Sequence, residues 1–416
     1  MIAGPPRPLG SESHMTANQA PREALERVID LEAARQRHSS QTEHLVVLLT
    51  AGDPLADAAV AELDLHGTSA RQAFDMGLKE GMASLGEHSP TAITALLKDL
   101  EATPSWAAPS TLHRGDVVSR SVPPIWSGLC SITSALAHTY ASPAVARLLA
   151  GSGTPTDTAS RSLVETAVWA RRIVQPGGLL RGGQGYVAAA ELRLRHARMR
   201  ATSLADWDAG APGLPIGQLD MARTWLGFTL ISYRALAAVG IEISPAEERH
   251  LYRYWSYVAH LLGLDERLHQ DVADHAGARR LQDLLDSVTP SPDDNSRTLT
   301  IAMVEIQAHA MARAPGMALS EEQLSTLMHT VLRQTFGEPA SNRMGLPASA
   351  TPDLMPLIGT LDRQARRWQT FSRASAREAH LRALEDSGPD VVPRVPRRGT
   401  RRRQNSGAGL PKFPAA

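Results

Sequence analysis

Cysteine is all but missing from this chain of 416 residues. Cys130 stands alone, so no internal disulfide can form, and no multi-cysteine zinc, iron–sulfur or c-type haem attachment site can be built. That economy suits a reducing compartment. Lysine is nearly as scarce: Lys79, Lys98 and Lys412 are the three lysines among 43 basic residues, which leaves little for a mechanism that needs an ammonium group. Aromatic residues make up 4%, too few for a reader of single-stranded nucleic acid built on base stacking, and no specific nucleic-acid partner is expected. No apolar run approaches the roughly 20 residues of a transmembrane segment. Met1–Gln19 lacks the apolar centre of a secretory leader, and the run His44–Thr50 is too short for either purpose. A soluble, cytoplasmic protein is expected.

What the chain does have is helix signal. Apolar residues at 43%, charged residues at 21% and a formal net charge of zero describe an ordinary globular protein. From Pro21 to about Asp386 the pattern is helical, and alternating β-branched stretches with hairpin dipeptides are missing. The expected fold class is all-α, with one large domain over 21–386 between a flexible tail at 1–20 and a disordered basic tail at 387–416. In Arg161–Gln175, Leu163, Ala167, Ala170 and Val174 share one face, and Pro176-Gly177-Gly178 stops the helix. Further helices are predicted over Gly185–Arg200, Gln218–Val239 and Pro245–Leu262, and over 299–313, 320–335 and 353–385. The last stretch, Arg394–Ala416, has seven basic residues and no acidic ones, leaving the remainder at about −7. Such a tail either touches an anionic surface or is merely solvated.

Three segments can carry chemistry. In Gly185–Arg200, helical spacing puts Leu192, His196 and Met199 on one face, with Arg193, Arg195, Arg198 and Arg200 close by. A neutral imidazole among apolar neighbours can ligate haem iron, and guanidiniums beside it can pair with propionates; a lone helical histidine is also an ordinary core or surface residue. In Arg161–Thr166, Glu165 and Thr166 precede His196 by one helix and one glycine-rich loop, so the two helices can pack antiparallel and face each other across a cofactor. In Leu214–Thr229, Gln218 or Asp220 can cap a long helix, while Asp220 and Thr224 stand one turn apart, either satisfying a cap or lining a polar site. Rivals fail on spacing. Glu247-x-x-His250 has no second copy for a di-iron site, and His269, Asp271, Asp274 and His275 form a possible metal cluster or a solvated helix end. Gly182-Gly-Gln-Gly185 lacks the strand and the lysine of a phosphate loop.

Taken together and in order, these segments resemble the family of rubber oxygenases (latex-clearing proteins) and the oxygenase of mycophenolic acid biosynthesis. The resemblance rests on Arg161-Ser-Leu-Val-Glu-Thr166, Pro176-Gly-Gly178, Leu192–Arg200, Pro215–Thr224 with Phe228, and Leu251–Gly263, and is extended upstream by Asp53-Pro-Leu-Ala-Asp57 and Pro104-Ser-Trp106. It spans about residues 45–315. It implies a globin-like helical core that binds b-type haem, with His196 as the iron ligand. Glu165, Thr166 and the neighbouring Arg161 fall on the side where dioxygen and substrate meet. Gln218, Asp220 and Thr224 become candidate supports of the haem or its histidine, and Arg193, Arg195 and Arg200 become candidate partners of the propionates. Two departures matter. The rubber oxygenases carry Arg-x-x-Lys-Thr where this chain has Ser162 and Glu165, and their upstream glutamate has no counterpart in Tyr140–Thr156, which holds no acidic residue. The implied activity is therefore a haem-dependent oxygenase acting with dioxygen on a hydrophobic small molecule, with cleavage of a carbon–carbon double bond as the implied reaction. The alternative is a non-catalytic protein that binds haem or an apolar ligand.

Overall fold

The structure is a computed structural model that describes residues 29–348, apart from 39, 205–206, 208–212, 315–316 and 318, together with Ile358. The helix expected over 353–385 and both tails lie outside the described residues. Among the described residues there is no β-strand.

Among the described residues sixteen α-helices follow one another: α1 (Leu31–His38), α2 (Ser40–Leu48), α3 (Pro54–His66), α4 (Thr68–Glu80), α5 (Thr91–Glu101), α6 (Pro109–Arg120), α7 (Pro124–Trp126, running on to Tyr140), α8 (Pro143–Ala150), α9 (Pro155–Ile173), α10 (Gln184–Ser203), α11 (Gln218–Leu226, running on to Ala238), α12 (Pro245–Leu261), α13 (His275–Ser287), α14 (Asp294–Ala312), α15 (Glu321–Phe336) and α16 (Glu338–Arg343). Proline at the first helical turn and a side-chain cap set many of the starts. Asp53 accepts from the Ala56 amide ahead of α3, and Thr154 accepts from that of Asp157 ahead of α9. Ser244 and Glu247 form a reciprocal box at α12. The helix expected at 299 begins earlier, at Asp294, because the Asp293 carboxylate accepts from the Ser296 amide.

Two long helices are not regular throughout. α7 passes through a π-helical segment at Ser127–Ile132, and α11 through one at Gly227–Ile231. The segments meet: the Ser232 hydroxyl is 2.7 Å from the Gly227 carbonyl and 3.1 Å from that of Ser131. Each π turn rotates the side chains after it relative to those before it.

The core is continuous, and close approach of α6 to α12 is allowed by Gly115, where a Cβ would lie 2.3 Å from the Cβ of Tyr254. Tyr254 in turn donates its hydroxyl to the Ile173 carbonyl at the end of α9. The turn from α9 to α10 doubles back tightly: the Tyr186 amide donates to the Gly178 carbonyl at 2.8 Å, and a Cβ on Gly185 would sit 2.7 Å from the Arg172 carbonyl. The two helices therefore pack side by side and antiparallel.

Burial also sets the acid stability of the fold. Seven histidines are held below their ordinary value, with burial the leading cause; His138 is pushed down to about 3, and His196 and His269 to about 4. Two carboxyls move oppositely: burial raises Asp116 to about 6 and raises Asp220. A lowered imidazole takes up its proton only on unfolding, so its contribution is full above about 6.5 and is lost as pH falls toward 4. A raised carboxyl contributes most below its ordinary value and loses that contribution as pH rises. The imidazoles outnumber the carboxyls, so melting temperature should rise between about pH 5 and 6.5 in scanning calorimetry. A melting temperature that falls over that interval would contradict this assignment of buried neutral histidines.

Candidate active site

The antiparallel pair α9 and α10 borders a cavity of about 380 Å³, within the range of small-molecule sites. Along α9 the wall is formed by Glu165, Thr166, Trp169 and Arg172; along α10 by Glu191, Leu192, Arg195, His196 and Met199. These positions recur at three and four residues, one face of each helix. α7, α11 and α12 close the space with Leu136, Phe228, Trp255 and Val258. Phe228 stacks on Trp255 at 5.5 Å and meets the Trp169 ring edge-on at 5.1 Å. Phe228 lies in the π turn of α11.

His196 sits in this apolar wall. Burial, reinforced by Arg200 and Arg195, pushes its imidazole down to about 4, so it is neutral at pH 7 with a free lone pair. Its Nδ1 is buried and finds no hydrogen-bond partner among the described residues. The donor set fits haem: a neutral nitrogen ligand in a chamber walled by Leu192, Met199, Phe228 and Trp255. One supporting feature differs from expectation. Neither Gln218 nor Asp220 bonds the ring.

Gln218 is a staple of loops instead. Its Nε2 donates to the carbonyls of Gly52 and Gly263, and its Oε1 accepts from the Asp265 amide at 2.8 Å. It caps nothing, because Gly217 holds the N-cap position. Asp220 does line the cavity, and it also lines a second one of about 280 Å³, so its carboxyl stands in the wall between them. Its Oδ1 accepts from the Ser142 hydroxyl at 3.0 Å. Burial favours the protonated acid more strongly than that bond and Arg223 oppose it. Thr224 lines the main cavity with its hydroxyl donated to the Asp220 carbonyl at 3.0 Å.

The arginines of the sequence reading separate sharply. Arg193, 4% exposed, points away from the cavity: its Nε and Nη2 donate to Asp53 at 2.6 and 3.1 Å and its Nη1 to Asp99 at 2.7 Å. Arg200, equally buried, donates Nε and Nη2 to Asp57 and Nη1 to the Ile216 carbonyl at 2.6 Å. With every donor group engaged, neither can serve a propionate; both bolt α10 onto α3. Arg195 does line the cavity, paired with Glu165 at 2.6 Å, both half exposed. Glu165 is thus no carboxyl in an apolar recess; an exposed ion pair holds it at the rim. Arg161 is brought elsewhere, 3.3 Å from the carbonyl and hydroxyl of Ser152, and does not line the cavity. The possible metal cluster dissolves as well: Asp274 caps α13, His275 shares a hydrogen bond with the Tyr252 hydroxyl, and His269 is buried against Trp225. No group of three potential metal ligands occurs among the described residues.

Ile216 is the one non-glycine residue at positive φ, +52°, among the described residues, and it forms part of the cavity wall. A β-branched residue there is strained by about 1–3 kcal/mol. The Arg200 bond to its carbonyl holds the turn in place. Sequence reading missed Trp169 and Arg172 as wall residues. The signal was present, since they follow Glu165 by four and seven positions on the same helical face.

With this geometry in hand, comparison with known proteins is decisive for the family. Residues 121–374, more than half of the chain, match the catalytic domain described as ER-bound oxygenase mpaB/B′/Rubber oxygenase. The chain belongs to this family. The family match thus begins well after the Asp53 motif and runs past residue 315. The rubber oxygenase of Streptomyces sp. (strain K30) is 24% identical over 275 residues, a match that covers 65% of this chain and 64% of that protein. The chain therefore spans just under two thirds of that relative's length. The fold is similar to that of latex clearing protein LCP in its closed state, with a TM-score of 0.59 at 20% identity over 81% of this chain and 90% of that one. No helix among the described residues is long and apolar enough to cross a membrane.

The different duties of the arginines are measurable. Arg193→Ala should cost about 3–5 kcal/mol in urea unfolding, because it strands buried Asp53, whereas Arg195→Ala should change stability by less than about 1 kcal/mol. Equal effects would contradict the assignment of Arg193 to the scaffold and Arg195 to the rim.

Proposed function

We propose that the chain is a haem b-dependent oxygenase that acts with dioxygen on a hydrophobic small molecule, cleaving a carbon–carbon double bond. The observation that carries this reading is the neutral His196 in the apolar cavity of a rubber-oxygenase-family domain. His196 would hold the iron. Arg195, lining the cavity beside it, would meet the haem carboxylates. When bound, haem supplies the site at which dioxygen is activated.

The chain's own residues supply the rest. Leu136, Phe228, Trp255 and Val258 bind an alkenyl chain by contact and keep water from it. By the resemblance Glu165 stands where the rubber oxygenases carry a lysine, so this helix offers the cavity no amine ligand, and the carboxylate is paired with Arg195 instead. Thr166, half buried beside it, adds a hydroxyl to the wall. Asp220 is the residue placed to hold a proton at its carboxyl oxygen and to move it inward, with Ser142 on the side of the second cavity. A rubber substrate is not proposed: this chain departs from the rubber oxygenases at Ser162 and Glu165.

The test is oxygen uptake by haem-supplemented protein against a panel of terpenoid and other alkenyl substrates, with carbonyl products identified. Asp220→Asn should keep the cavity and the haem but lower turnover by about 10²-fold or more and flatten its pH dependence. Uptake indistinguishable from free haem would overturn the oxygenase reading and leave a haem or apolar-ligand binding protein. An unchanged rate and pH profile in the variant would remove Asp220 from proton transfer.

A further inference from the structure

The charged groups in the wall of the main cavity are almost all answered. Glu165 pairs with Arg195 at 2.6 Å, Glu191 pairs with Arg71, and Asp220 accepts from Ser142. Arg172 is the exception. It is half buried, it lines the cavity, and its guanidinium has no ion pair or hydrogen bond among the described residues. An arginine cannot shed its charge, so a partly desolvated guanidinium without a counter-charge favours binding of an anion.

Trp169, one turn earlier on α9, is 9% exposed and lends its ring to the same wall, with its indole Nε1–H closed off from the open space. Counting by helical register, Arg172 lies seven residues, about 10 Å along the axis, from Glu165. One end of the α9 wall is therefore neutralised by the Glu165–Arg195 pair, and the other end presents a positive charge. Between them the wall holds Val168, Leu192 and Trp255, together with Glu191, whose charge is answered by Arg71.

We infer that Arg172 is a carboxylate-anchoring subsite, and that the cavity takes an apolar molecule with an acid group at one end. The inference rests on the reading of this cavity as the ligand site. A carboxylate is planar and accepts two parallel N–H bonds from a guanidinium. It neutralises the cation without requiring metal or covalent chemistry. An uncharged polymer offers nothing to this end of the wall. The same chemistry has two sources, an acid group on the substrate or the acid edge of a bound haem, and a titration separates them.

The experiment follows tryptophan fluorescence of the full-length, haem-free protein, which has Trp169, Trp225 and Trp255 in the cavity wall. The probes are oleate, methyl oleate, haemin and haemin dimethyl ester, each against the unaltered protein, Arg172→Gln and Arg172→Lys. Loss of the guanidinium should weaken binding of a free acid by about tenfold. Methyl oleate should bind all three proteins equally, which also reports that the cavity is intact. Lysine, keeping the charge but not the fork, should recover part of the loss. A selective loss of oleate affinity assigns the subsite to the substrate, and a selective loss for haemin over its diester assigns it to the cofactor. Acid and ester affected alike, or neither affected, would overturn the subsite. Failure of the unaltered protein to bind haemin would count against the haem reading while leaving the oleate comparison to decide this one.

Discussion

The site depends on two buried arginines that never touch it. Arg193 and Arg200 lie two turns apart on α10, and each reaches an aspartate in the Asp53–Asp57 segment at the start of α3. His196 falls between them, three residues after the first and four before the second. Fixing the helix at both points fixes its rotation, and the rotation sends Leu192, His196 and Met199 into the cavity. Buried ion pairs add little net stability compared with apolar packing, because desolvating the charges offsets their attraction. Their value here is directional. A helix packed on apolar contacts alone could turn by a fraction of a residue; one held by fork-shaped guanidinium bonds at two levels cannot do so without stranding charge.

The same clamp reaches further than α10. The Arg200 Nη1 bond to Ile216 holds the strained turn that opens α11. Gln218, immediately after it, joins that turn to the loops at Gly52 and Gly263. Three chain segments that are distant in sequence thus meet at one polar knot beneath the cavity, while the cavity itself remains apolar. In the cavity wall burial keeps the His196 imidazole unprotonated and holds the Asp220 carboxyl toward its acid form. Opposite demands are met by one physical cause, because desolvation disfavours whichever form carries charge.

Much of the fold was written in local signals. Proline at helix starts, glycine at helix stops and a period of 3.6 placed α10, α11 and α12 within a few residues of their observed bounds, whereas α9 begins six residues before the expected Arg161, at Pro155. The π turn in α11 was not legible, since its single-residue slip changes no composition and depends on Ser232 bonding Gly227 and Ser131. The site was legible where it follows a helix face: His196, Glu165 and Thr166 fall on the cavity wall with their register neighbours. It was illegible where long-range pairing decides. Nothing near Arg193 or Arg200 reveals that their partners lie about 140 residues upstream, so an arginine-rich helix read as a set of propionate ligands when two of its members are scaffold. Gln218 misled for the same reason: a residue type suited to capping was recruited by loops that fold onto it.

The most direct test of the account is haem stoichiometry. Purified, haem-supplemented protein and its His196→Ala variant should be compared by visible spectrum and pyridine haemochromogen assay, with circular dichroism to establish that both are folded. The account predicts about one b-type haem per chain in the unaltered protein and loss of that haem in a variant that keeps its helices. A variant that retains full haem with an unchanged spectrum, or an unaltered protein that takes up none, would contradict the placement of the iron at His196.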